Sequence, residues 1–203
     1  MTGTDDAVFE RTLLLAEDAD SSAISALAAE RGWPLTVDSG FRCGAPTHRS
    51  HDAGDGTLVH EVQQSDYGVS SVTVVSRRSP EAADEIAALL ADALETVPLE
   101  AVVDRLLDES TSASGLLRAL RQLAAAYTFS LSYGTVGPDP DPRTGAAAER
   151  LLRHPHRSVR LITISVFDEL RSALPVLEKA VLARRGVEEE LAEAVEIFAA
   201  SAG

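Results

Sequence analysis

The chain has 203 residues, with 45% apolar and 25% charged side chains, a composition that folds and that argues against wholesale disorder. Its formal charge of −14 argues against sequence-independent binding to nucleic acid or anionic membrane, since both need clustered cations. One cysteine, Cys43, excludes an intramolecular disulfide. The acidic start Met1–Glu10 lacks the apolar core of a signal peptide, and no run of about 18 apolar residues suggests a membrane span, so a cytoplasmic protein is expected.

Aromatic residues make up only 4%, and alanine and leucine carry most of the apolar content, which favours closely packed helices. Arginine replaces lysine almost everywhere, Lys179 being the single exception, a habit of composition such as a high-GC bacterial genome produces.

The first half alternates strand and helix. Phe9, Arg11, Leu13 and Leu15 alternate with Glu10, Thr12 and Leu14 as in a strand with a buried face. Asp20-Ser21-Ser22 offers capping oxygens to a helix carrying Ile24, Leu27 and Ala28, which Gly32 and Pro34 end. Pro34–Val37 is a short second strand. From Asp38 to Gly56 the chain is rich in Gly, Ser, His and Asp and is expected to be a long loop. Leu58–Gln64 and Val69–Arg77 flank Ser65-Asp66-Tyr67-Gly68 as a hairpin. Ser79-Pro80-Glu81 then opens a helix with a cap, an N1 proline and a first-turn acid, its buried stripe running through Ile86, Leu90, Ala93 and Val97. The order predicts a small α/β sandwich over residues 1–97, an antiparallel or mixed sheet with helices on one face.

From residue 98 to 203 only helices are expected. Leu99, Val102, Val103, Leu106 and Leu107 stripe a short one; Leu116, Leu120, Leu123 and Tyr127 a longer one. After the Gly/Pro-rich stretch from Tyr133 to Gly145, a short helix ends at Leu151-Leu152. Val159, Ile162, Val166, Leu170 and Leu174 then mark a long one. Pro175 restarts a short helix with Val176, Ala180 and Val181, Gly186 breaks it, and Val187, Leu191, Val195 and Phe198 stripe the last.

Within this half, Leu151-Leu152-Arg153-His154-Pro155-His156-Arg157-Ser158-Val159-Arg160 resembles the inter-helix turn of HEAT-like (armadillo-type) helical repeats. The matching features are the leucine pair, a proline in a polar turn, and a Val-Arg pair opening the second helix. Leu106-Leu107-Asp108-Glu109 to Leu117-Arg118 lies about 45 residues upstream, a spacing such repeats use, but it has no proline and a longer turn. The overall fold class is thus α+β: an N-terminal α/β sandwich followed by a short HEAT-like array. The resemblance implies a surface for a protein partner. Fold does not dictate function, so an enzyme or small-ligand protein with its site between the halves is the alternative.

Two clusters carry potential chemistry. Cys43, His48, His51, Asp52 and Asp55 include zinc-ligand types, without a usual zinc spacing, and are expected to be a solvated loop and not a metal centre. His60 is expected to be a packed strand histidine. The candidate binding residues are Arg153, His154, His156, Arg157 and Arg160; with Arg143 and Arg150 they form the basic concentration of an acidic chain. At the start of a helix such a cluster suits a phosphate, a carboxylate or, less well given the net charge, a nucleic-acid backbone. Its other reading is ordinary pairing with Glu149, Asp168 and Glu169. The expectation is a non-enzymatic adaptor with a protein partner, no cofactor, no membrane and little scope for nucleic acid; the oligomeric state is open. No Walker A, GxGxxG, HExxH or GxSxG motif is present.

Overall fold

The computed structural model describes residues 8–16, 22–40, 47–64, 69–133 and 137–201. The chain parts into two compact units, the first made of Met1–Pro98 and Ser132–Pro138, the second of Leu99–Leu131 and Asp139–Gly203.

The first unit holds strands β1 (Phe9–Leu15), β2 (Leu35–Asp38), β3 (Thr47–Gly54), β4 (Thr57–Gln64), β5 (Val69–Ser76) and β6 (Thr96–Val97). Its helices are α1 (Ser22–Arg31) and α2 (Pro80–Ala93). The strands form one six-stranded antiparallel sheet in the order β2-β3-β4-β5-β1-β6. Period-two alternation sorts its side chains onto two faces. One carries Leu13, Leu15, Val59, Val72 and Val74, which pack with Ile24 and Leu27 of α1 and with Ala83, Ala87 and Leu90 of α2. Arg11 on the same face reaches across to Asp84 of α2. Helix α2 begins as its sequence requires: Ser79 is extended, and its Oγ accepts from Ala82 N–H at 3.2 Å.

Two expectations in this unit are corrected. The stretch Asp38–Gly56 is not one loop, because Thr47–Gly54 is a full strand paired on both sides, to β2 and to β4. Its polar composition concealed it: only Ala53 is aliphatic, and the ladder hydrogen bonds, not side-chain burial, specify the strand. The turn behind it is Gly54-Asp55-Gly56, all three at positive φ (90°, 52° and 75°). Val97 does not continue the stripe of α2 either. The backbone turns extended at Leu94, Ala93 is exposed, and Thr96–Val97 adds an edge strand beside β1. Cys43, Asp20, Ser21 and the hairpin turn Ser65–Gly68 lie outside the described residues.

The second unit contains α3 (Leu99–Leu107), α4 (Ala113–Tyr133), α5 (Thr144–Leu152), α6 (Arg157–Leu170), α7 (Pro175–Leu182), a 3-10 turn at Glu189–Leu191 and α8 (Ala192–Ala200). Helix α3 packs on α5, α5 on α6 and α7, and α6 on α7 and α8, so contacts run from neighbour to neighbour. Val102, Val103, Leu106, Leu151, Leu152, Val159, Val166, Phe167, Leu177, Val181, Val195 and Phe198 are all at least 99% buried. Helix α6 is shorter than the apolar spacing suggests: it stops at Leu170, and Leu174 is buried in the turn before α7. In α7 the core-facing residues are Leu177 and Val181, while Val176 is 44% exposed. Val187, at 58% exposure, precedes the last helix and does not belong to its stripe. Pro175 sets the register of α7 one residue later than the apolar count implies, and Gly186 (φ +71°) ends that segment before Val187.

Among the described residues, no helix is long and apolar enough to cross a membrane.

Candidate functional site

Most arginines of the basic cluster are fastened to helix ends. Arg143 forms a bidentate pair with Asp141 (3.0 and 2.7 Å) and also binds Asp104 of α3. Its hydrogen bonds hold the Asp141 carboxyl below the ordinary range. Arg150 donates from Nη1 to the Leu106 carbonyl at 2.7 Å and from Nη2 to that of Asp108 at 2.9 Å. It thereby caps the C-terminal end of α3 at the Leu106 carbonyl and reinforces the turn after it, where Thr111 N–H also donates to the Asp108 carbonyl. Arg160, only 9% exposed, donates to the carbonyls of His154 (2.6 Å) and Pro155 (3.1 Å) and pairs with Glu188 (3.2 Å) and Glu190 (2.7 Å).

The five predicted binding residues are therefore divided. Arg160 is largely buried, and its fork engages carbonyls and carboxylates of its own fold. His154 is half-buried and accepts from His156 N–H at 3.1 Å; burial first, then the neighbouring His156, lowers its pKa. His156 and Arg157 are exposed at the entrance of α6. Arg153 points elsewhere, onto a groove that none of the others lines.

That groove lies between α5 and α7 and has a volume of ≈ 240 Å³. Gly145, Glu149, Leu152 and Arg153 line it from α5 and its C-cap; Val176, Lys179, Ala180, Ala183 and Arg184 line it from α7 and the turn after it. On both helices these residues recur three or four apart, which puts each set on one face. A Cβ at Gly145 would stand 3.0 Å from Val176 Cγ2, so the glycine sets how closely the two helices approach. The floor is aliphatic and the rim is charged. Arg153 pairs with Glu149 at 3.3 Å across one turn, and Arg184 pairs with Glu188. With Arg153 paired to Glu149 and Arg184 to Glu188, the rim keeps one positive charge in excess, in a chain of net charge −14. Lys179, Arg184 and Val176 were missed at the sequence level. The signal was there in the shared spacing of the two faces, but nothing in the sequence says that α5 and α7 are neighbours.

The first unit gathers a different set of groups. His48 and His51, three apart on β3, point to opposite faces, so the titratable residues that crowd the sequence here do not converge. His51 and Glu61 lie on the face that carries the aliphatic core. Both are buried, and neither ring nitrogen of His51, nor Glu61 Oε2, has a hydrogen-bond partner among the described residues. Burial raises the Glu61 carboxyl above its ordinary value, against the pull of Arg49. On the other face the cross-strand row Thr12, Thr73, His60 and Ser50 runs over four strands. Thr12 and Thr73 share a hydrogen bond of 3.0 Å, and Ser50 Oγ lies 2.7 Å from His60 Nδ1. Burial, followed by repulsion from His48, pushes His60 down to about 4. Among the described residues no three His, Cys, Asp or Glu side chains form a group able to hold a metal ion.

Comparison with protein-family models, with curated proteins and with solved structures returned no match.

Proposed function

We propose that the chain is a non-enzymatic interaction protein whose helical unit, a short HEAT-like array, holds an acidic segment of a partner protein in the groove between α5 and α7. The observation that carries this reading is the groove itself: an aliphatic floor under Arg153, Lys179 and Arg184, on a protein that is otherwise strongly acidic. An amphipathic acidic segment matches both features, laying apolar side chains on Val176 and Ala180 and carboxylates against the rim. The neighbour-to-neighbour packing of α3, α5 and α7 suits such an array, in which each element contacts only those beside it. Arg160 and Arg150 belong to the scaffold; Arg153 and Lys179 belong to the surface.

The test is affinity capture from the protein's own cell extract, with wild type beside an Arg153→Glu/Lys179→Glu variant. A stoichiometric protein partner that wild type retains, that the variant loses, and that releases as salt rises is the expected result. Retention of that partner by a folded variant would remove the groove from the reading, and a folded wild type that captures no partner would count against the reading as a whole.

A further inference from the structure

The helical unit carries a counterpart to its own groove on helix α8. That helix buries Val195 and Phe198 and turns its opposite face outward. Ala192, Glu193, Glu196, Ile197 and Ala200 are exposed, and at roughly 100° per residue they fall within an arc of about 140°. Every side chain of this arc is aliphatic or acidic. Ile197, at 62% exposure, is the most exposed large apolar residue among the described residues.

The two surfaces match in length and in chemistry. Along α5 the groove lining runs from Gly145 to Leu152, about 10 Å of helix, and the free face of α8 from Ala192 to Ala200 spans about 12 Å. On α7 the half-exposed Val176 stands one turn from Lys179; on α8 Ile197 stands one turn from Glu193. Each surface thus sets an open aliphatic side chain beside a charge, and the two charges are opposite. Both charges are also free. Arg153, Arg184 and Glu196 are paired within their own chain, whereas Lys179 and Glu193 form no ion pair among the described residues.

Helix α8 cannot fill the groove of its own chain. Arg171 on the turn after α6 donates to the Phe198 carbonyl and stacks over the Phe198 ring, which holds α8 on its unit with the acidic face outward.

Resting on the reading of the groove as a seat for an acidic amphipathic segment, we propose that the groove of one copy seats the outer face of α8 of a second copy. Ile197 lies on Val176 and Ala180, and Glu193 meets Lys179. Groove and helix are different surfaces of one unit, so the contact is heterologous and joins copies head to tail. At physiological salt the Debye length of about 8 Å screens the long-range repulsion between copies of charge −14 more than it screens a pair in direct contact. One helix face of this length covers less than the roughly 1,200–2,000 Å² of a stable interface, so the contact is weak. A tighter acidic segment therefore displaces it, and self-association and partner binding compete for one groove.

The test is sedimentation velocity on the full chain in about 0.15 M salt, from about 10 μM to about 1 mM protein. Wild type should shift from monomer toward larger species across that range. Lys179→Glu and Glu193→Lys should each stay monomeric, because each sets like charges against one another; both positions are exposed, and circular dichroism checks the fold. An equal mixture of the two variants should associate again, since the groove of either then faces the opposite charge on α8 of the other. Wild type that stays monomeric throughout, association that neither variant weakens, or a mixture that does not recover would overturn the proposal. The two readings of the groove fail separately. A monomeric wild type that still captures a partner through Arg153 and Lys179 keeps the groove and removes the second copy. Self-association rescued in the mixture, with no partner captured from extract, keeps the second copy and removes the foreign segment.

Discussion

The two units place their polar groups in opposite ways. In the sheet unit, polar side chains enter the interior as a cross-strand row: Thr73 is 2% exposed, Ser50 1% and His60 8%, and neutral hydrogen bonds link members of that row. In the helical unit the interior is mainly leucine, valine, alanine and phenylalanine; among the described residues the few buried polar ones, such as Gln122, Thr144 and Thr163, form no cross-element row, and arginine forks close helix ends. Arg150 does this on α3 and Arg160 on the turn before α6. Arg171 pairs with Asp168, donates to the Phe198 carbonyl and stacks 3.9 Å over the Phe198 ring, fastening α8 to α6. The difference follows from backbone chemistry. A strand pairs its N–H and C=O groups with its neighbours, so its side chains are free to pair with one another. A helix leaves unpaired carbonyls at its last turn, and a long cationic side chain is suited to satisfy them.

The comparison can be tested by substitution, beginning with the cores. Phe167→Ala in the helical unit should cost about 3–5 kcal/mol and Leu90→Ala in the sheet unit about 2–5 kcal/mol, both by leaving cavities in fully buried positions. Denaturant melts measure both; a loss under 1 kcal/mol at either site would mean that its core is not packed as described.

Arg160→Ala should come next, at about 1–3 kcal/mol, since it leaves the His154 and Pro155 carbonyls without their donor and removes a largely buried guanidinium from beside Glu188. The exposed Arg157→Ala, three residues away, should change stability by less than about 0.5 kcal/mol. Equal effects at the two positions would erase the distinction between scaffold arginine and surface arginine.

A third pair compares helix starts. Ser79→Ala removes the cap of α2 and should cost about 1 kcal/mol. Helix α6 has no side-chain cap at His156, so His156→Asp should gain up to about 1 kcal/mol from a cap and from the helix dipole. Thermal unfolding of the two single variants should thus move in opposite directions.

The smallest effect concerns pH. Hydrogen bonds hold Asp108, Asp141 and Glu196 of the helical unit below their ordinary carboxylate values, those of Asp108 from Ser110, of Asp141 from Arg143 and of Glu196 from Arg185. A depressed folded pKa contributes stability above the unfolded value, about pH 4, and that contribution is lost as pH falls through the folded value. The thermal midpoint should therefore decline below about pH 4, and Asp141→Asn should flatten that decline. An Asp141→Asn profile identical to wild type would show that the pair with Arg143 adds nothing to acid stability.

What could be read in advance depended on whether a local pattern carries the information. Ser79-Pro80-Glu81 specifies a helix start through capping alone, and the alternation from Phe9 to Leu15 specifies a strand through period alone. Thr47–Gly54 has neither signal. Its polar residues suit a loop and a strand equally, and only the partners on both sides decide. Arg153 was legible as a surface cation, whereas Arg160, seven residues on with the same chemistry, was not legible as an internal one.

The sequence by itself determined the α+β class, most element starts and stops, the acidic surface and the cluster of arginines around residues 143–160, because each depends on neighbours along the chain. Tertiary structure decided which arginines are consumed by helix ends. It also placed α7 beside α5, making a cationic groove of Arg153, Lys179 and Arg184, and set β3 against β4 in the register that joins His48, Ser50 and His60. Those outcomes depend on distances between residues far apart in the chain, and no local propensity encodes such distances.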